Sequence, residues 1–156
     1  IQIYLPDLKY LDSDAAGRYS GASDYPQTAQ AAIREMVRQT GPCAFDGDGL
    51  LTRGVVIRHL ILPGQVSQAK AVMDWVAAEF GPGTVLFSLM SQYTPWGRSA
   101  EFPEIHRRLR AGEMRAAAEY MANLGLEGFT QERTSAQREY TPPFDLTGVA
   151  GEGGAL

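Results

Sequence analysis

Residues 55 to 62 read Val-Val-Ile-Arg-His-Leu-Ile-Leu, an apolar run broken only by Arg58 and His59. A strand with one wet face would alternate apolar and polar residues, whereas this run suits a strand covered on both faces, as in a parallel sheet. Parallel neighbours need long crossovers, and those are expected to be helices. That requirement organises the rest of the chain.

Helical patterns flank the run. Pro26 suits a first helical position, and Ala29, Ile33, Met36, Val37 and Thr40 then share one face before Gly41-Pro42 stops the helix. After Pro63-Gly64, Ser67 is placed to cap a helix with Val72, Met73, Val76, Ala77 and Phe80 on one side, closed by Gly81-Pro82-Gly83. A third helix is predicted over 112 to 124, with Met114, Ala117, Ala118, Met121 and Leu124 inward and Gly125 as its stop. A short helix is predicted over 102 to 109.

Strands are predicted over 1 to 5, where Ile1, Ile3 and Leu5 alternate with Gln2 and Tyr4, over 84 to 90, and over 129 to 132. Pro6 limits pairing of the first. Residues 12 to 24 read as a loop with one short helical turn, and residues 45 to 50 as turn chemistry leading to a small hairpin or an excursion. The order is an alternation of strands and helices, so the class is α/β with parallel strands and right-handed crossovers. A doubly wound sheet and part of a (β/α) barrel both fit. After Leu146 the chain becomes Gly-rich, and residues 147 to 156 are expected to form a flexible tail, leaving 1 to 146 as one domain.

The 14 basic and 18 acidic residues give a net charge of −4, which argues against broad nucleic-acid binding or a polybasic membrane contact. No apolar run approaches the ~20 residues of a membrane-spanning helix. The 44% hydrophobic and 21% charged content is that of a folded globule. Cys43 is the only cysteine, so neither an internal disulfide nor a multi-thiolate site is available, and Cys43 reads as an inert thiol rather than a metal ligand. The chain opens on a strand with no Met and no leader, which suggests a piece of a longer protein.

In either α/β architecture, ligands bind at the carboxyl ends of the strands. Those ends carry Asp7 and Lys9; Arg58 and His59; Ser91, Gln92 and Tyr93; then Gln131 and Glu132. An Arg inside an apolar run needs an anionic partner, either a ligand carboxylate or a nearby acid. His59 by itself reads more readily as a satisfied core histidine than as a base. His106 and the Arg107, Arg108, Arg110 cluster read as a solvated helix edge. There is no glycine-rich nucleotide loop, P-loop lysine or nucleophile elbow, and the residues 46 to 49 resemble a calcium loop only faintly. Composition and spacing stop at a fold class and a candidate face.

Several longer words add to this: Tyr-Leu-Pro-Asp-Leu-Lys-Tyr (4 to 10), Tyr-Ser-Gly-Ala-Ser-Asp-Tyr-Pro (19 to 26), Arg-Gly-Val-Val-Ile-Arg-His-Leu-Ile-Leu-Pro-Gly (53 to 64), Ser-Leu-Met-Ser-Gln-Tyr-Thr-Pro (88 to 95) and Tyr-Thr-Pro-Pro-Phe-Asp-Leu-Thr-Gly-Val (140 to 149). In this order they resemble the C-terminal half of a radical S-adenosylmethionine (radical SAM) protein, among the relatives of pyruvate formate-lyase activating enzyme. The resemblance implies part of a TIM-like (β/α) barrel and a cytoplasmic oxidoreductase. Such a protein uses a [4Fe-4S] cluster and S-adenosylmethionine to generate a 5′-deoxyadenosyl radical. The implied partner is a glycyl-radical enzyme or another protein substrate.

By the same resemblance, Asp7 and Lys9 match an Asp-x-Lys at the end of a barrel strand, the acid by the ribose or a nearby cation and the lysine on the ligand carboxylate. Arg58 matches the Arg opening Arg-x-x-x-x-Pro-Gly, and Leu60 falls where an aliphatic side chain packs on adenine. Gln92 or Tyr93 stands where the activating enzymes place a ribose-binding His, a departure from their pattern. The Cys-x-x-x-Cys-x-x-Cys motif is absent. No catalytic residue and no metal ligand are therefore expected in this chain, which by itself is expected to do no radical chemistry. The alternative is a cluster-free half barrel that binds a nucleoside or a protein. An unpaired edge at the first strand also predicts self-association.

Overall fold

The apolar run forms the centre of a sheet. In the computed structural model, which describes residues 1 to 131, strand β3 (Leu51–Leu60) has neighbours on both sides. Strand β1 (Ile3–Tyr4) lies along one edge of it, with Ile3 opposite Gly54. Strand β4 (Leu86–Met90) lies along the other, with Val56 opposite Leu86 and Leu60 opposite Met90. Strand β5 (Gly128–Gln131) pairs with β4. All of these pairings are parallel, and the spatial order β1, β3, β4, β5 follows the sequence order. The sheet thus lacks, among the described residues, the reversal that marks the switch point of a doubly wound fold.

The turn chemistry at 45 to 50 makes a hairpin. Strand β2 (Ala44–Phe45) folds back antiparallel on β3, and Asp46 Oδ1 accepts from the Asp48 and Leu50 N–H groups, each at 2.9 Å. This local bonding is the habit of an Asx turn.

Helix α1 is Ser13–Ser20, α2 is Tyr25–Thr40, α3 is Val66–Glu79 and α4 is Ala111–Leu124, with a single 3-10 segment at Gly97–Glu101 before the last. Alternation along β3 and β4 sends Val55, Ile57, Val85, Phe87 and Leu89 to one side, where they meet Ile33 of α2, Val72, Met73 and Val76 of α3, and Ala117 and Met121 of α4. Helices α3 and α4 pack side by side on that face. Val56, Arg58 and Leu60 project from the other face, in register with Leu86, Ser88 and Met90.

Four local expectations need correction. Residues 12 to 24 hold a complete helix, α1, rather than a loop. Asp12 caps it by accepting from Asp14 N–H at 2.9 Å, Gly21 ends it in the left-handed region, and Ala15 and Ala16 are buried beneath Tyr10. Residues 102 to 109 form turns, not a helix: one helical bond joins His106 N–H to Phe102 C=O at 3.0 Å before Arg107 turns away to meet Glu113. Helix α3 begins at Val66 behind Gln65, with no side-chain cap from Ser67. Leu124 is exposed instead of inward, at the last residue of α4.

The first strand is also shorter than its alternating pattern. Its regular ladder covers two residues because Pro6 supplies no N–H. Glu132, the word at 140 to 149 and the tail at 147 to 156 lie outside the described residues.

Candidate functional site

The interruption at Pro6 is local. Arg58 N–H donates to Pro6 C=O at 2.8 Å and Leu8 N–H donates to Arg58 C=O at 2.9 Å, so β1 and β3 resume pairing with Asp7 directly opposite Arg58. Opposed residues share a face. Arg58 Nε accordingly donates to Asp7 Oδ1 at 2.8 Å, with the two side chains 43% and 39% exposed. The anion expected for Arg58 is therefore the chain's own Asp7. This contact leaves the Nη edge of the guanidinium and the second carboxylate oxygen available for a ligand.

One step on, Lys9 and Leu60 stand at the carboxyl ends of their strands and line the same crevice, together with Tyr10, Tyr19, His59 and Gln68. The Lys9 backbone N–H donates to Tyr25 Oη at 3.0 Å, and its side chain is exposed, with no carboxylate partner among the described residues. Across the sheet, Gln92 and Tyr93 follow the end of β4. Gln92 Nε2 lies 3.9 Å from Met90 Sδ. Tyr93 is half-buried, and burial raises its pKa against a hydrogen bond with Ser99 that lowers it, while Tyr10 adds a further upward push. The structure thus puts Asp7 in contact with Arg58 and Lys9 beside Leu60, and leads Tyr93 back toward Tyr10 from the next strand.

His59 points to the helical side, as alternation from Ile57 requires. Its Nδ1 lies 2.7 Å from Leu8 C=O, so Nδ1 carries the proton and donates, and the ring stacks on Phe87 at 6.4 Å and 21°. Burial holds its pKa below the ordinary imidazole value despite that bond. It is a satisfied core histidine. His106 is exposed, with Nδ1 3.2 Å from Ser99 Oγ.

Two residues carry more of this site than the sequence reveals. Tyr25 Oη donates to Asp7 C=O at 2.7 Å while accepting from Lys9, tying the first turn of α2 to the end of β1. The word at 19 to 26 includes Tyr25, but nothing local names its partners. Ser88, opposite Arg58 and also Phe129, is buried with a hydroxyl that has no hydrogen-bond partner among the described residues. Alternation alone would have put it on the Arg58 face.

The metal calculus is simple. Among the described residues, no group of three or more His, Cys, Asp or Glu is arranged to hold a metal ion. Cys43 lies toward the amino ends of the strands, its Sγ 3.6 Å from Thr84 C=O and packed against Gly54, away from Asp7 and Lys9. An iron–sulfur cluster does not fit this donor set. A second cleft, between Pro82, Val85, Leu126 and Glu127, also lies at the amino ends, where its single carboxylate offers little chemistry.

No family model matches the chain. An uncharacterized protein of Methanocaldococcus jannaschii is 23% identical over 128 residues, which is 81% of this chain and 33% of that protein. The chain thus spans about a third of the length of the curated relative it matches.

Proposed function

We propose that the chain is the C-terminal portion of a radical S-adenosylmethionine enzyme resembling pyruvate formate-lyase activating enzyme, its sheet an arc of a (β/α) barrel. The observation that carries this reading is the exit of β1: Asp7, held by Arg58, and Lys9, beside Leu60, stand together at the carboxyl end of a sheet whose order does not reverse among the described residues. In such enzymes the cluster supplies the electron that cleaves S-adenosylmethionine and so produces the hydrogen-abstracting radical. These residues would bind the nucleoside ligand rather than the cluster. Lys9 places a point charge against the ligand carboxylate, Asp7 accepts from ribose hydroxyls, Arg58 orients Asp7, and Leu60 packs on adenine. Gln92 or Tyr93 reaches the ribose from the next strand. The full parent would act in the cytoplasm on a glycyl-radical enzyme or another protein substrate.

Calorimetry with S-adenosylmethionine tests the half-site. Wild-type chain should bind and Lys9→Ala should bind roughly tenfold more weakly, the loss of one charge-assisted contact. Equal heats from both would remove Lys9 from the site, and no binding by the wild type would end the reading for this chain. The absence of a cluster ligand set among the described residues favours one other reading, a cluster-free module for nucleosides or proteins. In that case adenosine would bind as tightly as S-adenosylmethionine, because Lys9 would have no carboxylate to meet.

A further inference from the structure

The residues after Pro6 lie beyond the regular β1 ladder, yet their backbone is tied from two directions. Leu8 N–H donates to Arg58 C=O at 2.9 Å, as a strand would. The other bonds come from side chains. His59 Nδ1 donates to Leu8 C=O at 2.7 Å, and Tyr25 Oη bridges Asp7 C=O at 2.7 Å and Lys9 N–H at 3.0 Å. One hydroxyl therefore clips the two peptide groups that flank Leu8, while a buried imidazole holds Leu8 itself. Leu8 is fully buried, which leaves Asp7 and Lys9 on the outward side.

We propose that Tyr25 and His59 are positioning residues: together they extend the hold that β3 already has on the segment after Pro6 and keep Asp7 and Lys9 as a preformed acid–ammonium pair for S-adenosylmethionine. The ligand in this statement rests on the function proposed above; the holding of the segment does not. The reason is preorganisation. An exposed strand end that must be ordered on binding loses affinity to that ordering, and a segment already clipped does not. Tyr25 is itself held by the edge of Tyr10, with ring centroids 5.8 Å apart at 77°, so its hydroxyl has a fixed aim. His59 is held by Phe87.

The test uses Tyr25→Phe, which removes only the hydroxyl, His59→Leu, which removes the donor, and His59→Asn, which restores a donor near the Nδ1 position. Amide hydrogen exchange of the 156-residue chain is the first measurement. In Tyr25→Phe the Leu8 and Lys9 amides should exchange roughly tenfold faster while β3 and β4 keep their protection, in line with loss of a single local bond. His59→Leu should free Leu8 in the same way, and His59→Asn should recover much of the protection. Calorimetry with S-adenosylmethionine is the second. Tyr25→Phe should weaken binding roughly five- to tenfold, and its loss combined with Lys9→Ala should be less than additive, because both act through one group.

Unchanged exchange at Leu8 and Lys9 in Tyr25→Phe would overturn the proposal. So would strictly additive losses, the mark of general loosening. A wild-type chain that takes up no S-adenosylmethionine would overturn the ligand and the proposed function together. The exchange result would then still decide whether Tyr25 and His59 hold the segment.

Discussion

Arg58 Nε donates to Asp7 Oδ1 at 2.8 Å across a bridge between residues 51 apart in the chain. The pair sits on the face of the sheet opposite Val55, Ile57 and Phe87 and is close to half exposed, so water and salt screen it and its share of the stability is about 1 kcal/mol or less. Arg58→Gln should shift the thermal midpoint little. Its affinity for S-adenosylmethionine should nevertheless fall roughly tenfold, because Asp7 loses its orientation. A large loss of stability with unchanged binding would make the pair structural only.

Glu113 makes a different kind of contact. Its carboxylate accepts two bonds from Arg107, at 2.8 and 2.7 Å, one from Gly64 N–H at 2.7 Å and one from Arg110 N–H at 2.8 Å. The Arg107 bonds lead in holding its pKa down to about 2. One side chain thereby joins the turn after β3, the segment before α4 and the first turn of that helix, where a negative charge also suits the dipole. Glu113→Gln should destabilise the fold by about 2 kcal/mol, measured by urea unfolding. Arg98→Gln, in an exposed pair three residues from Glu101, should leave the urea midpoint essentially unchanged, because water screens the pair.

Two glycines give opposite expectations. At Gly128, φ is 153° and an added Cβ would fall 1.9 Å from Phe87 C=O, so Gly128→Ala should weaken the β4–β5 pairing by about 2 kcal/mol or more. Gly112 lies in α4 with nothing within 4 Å of an added Cβ. Gly112→Ala should stabilise by about 0.5 kcal/mol through helix propensity. Denaturant midpoints of the two variants check both signs.

The pH dependence follows from His59 and Glu113. Burial depresses the folded pKa of His59, so the unfolded chain takes its proton first, near pH 6.5. Its contribution is fully present above that pH and is lost as pH falls below it, with a limiting slope of about 1.4 kcal/mol per pH unit. Glu113 adds a second loss between its ordinary value of 4.5 and about 2. Stability curves from pH 8 to 3 should show the upper limb in the wild type and not in His59→Asn.

Ile1 and Leu5 on one edge and Phe129 on the other are exposed large apolar residues. Open strand edges with apolar residues pair with other chains. Light scattering should show mass rising with concentration, and Leu5→Lys together with Phe129→Lys should suppress the rise. A constant monomer mass in the wild type would contradict this expectation.

Much of the fold was legible locally. The run at 55 to 62 read correctly as a central parallel strand, although β3 spans Leu51–Leu60 and Arg58 on its second face stays partly exposed. Helices α2 and α4 were visible from their spacing and from glycine stops at Gly41 and Gly125. Helix α1 was not, because its Ser, Asp and Gly residues favour caps and turns when isolated, and the packing of Tyr10, Tyr19 and Leu62 with Ala15 and Ala16 is what makes burying that helix favourable. Over 102 to 109 the bias ran the other way: the spacing of Phe102, Ile105 and Leu109 suits a helix, but the bonds from Arg107 to Glu113 draw the chain out.

By itself the sequence determined that the chain forms helices around a parallel sheet, and that polar residues gather at the carboxyl ends of its strands. Periodicity and stop residues act over a few neighbours, so they survive without a fold. The tertiary structure alone decided that Asp7 meets Arg58 and that Tyr25 and His59 grip the segment between Asp7 and Lys9. Those contacts depend on the register of β1 against β3 and on where α2 begins. Both are set when the whole core packs, because a shift of one residue would send every side chain of β1 to the opposite face.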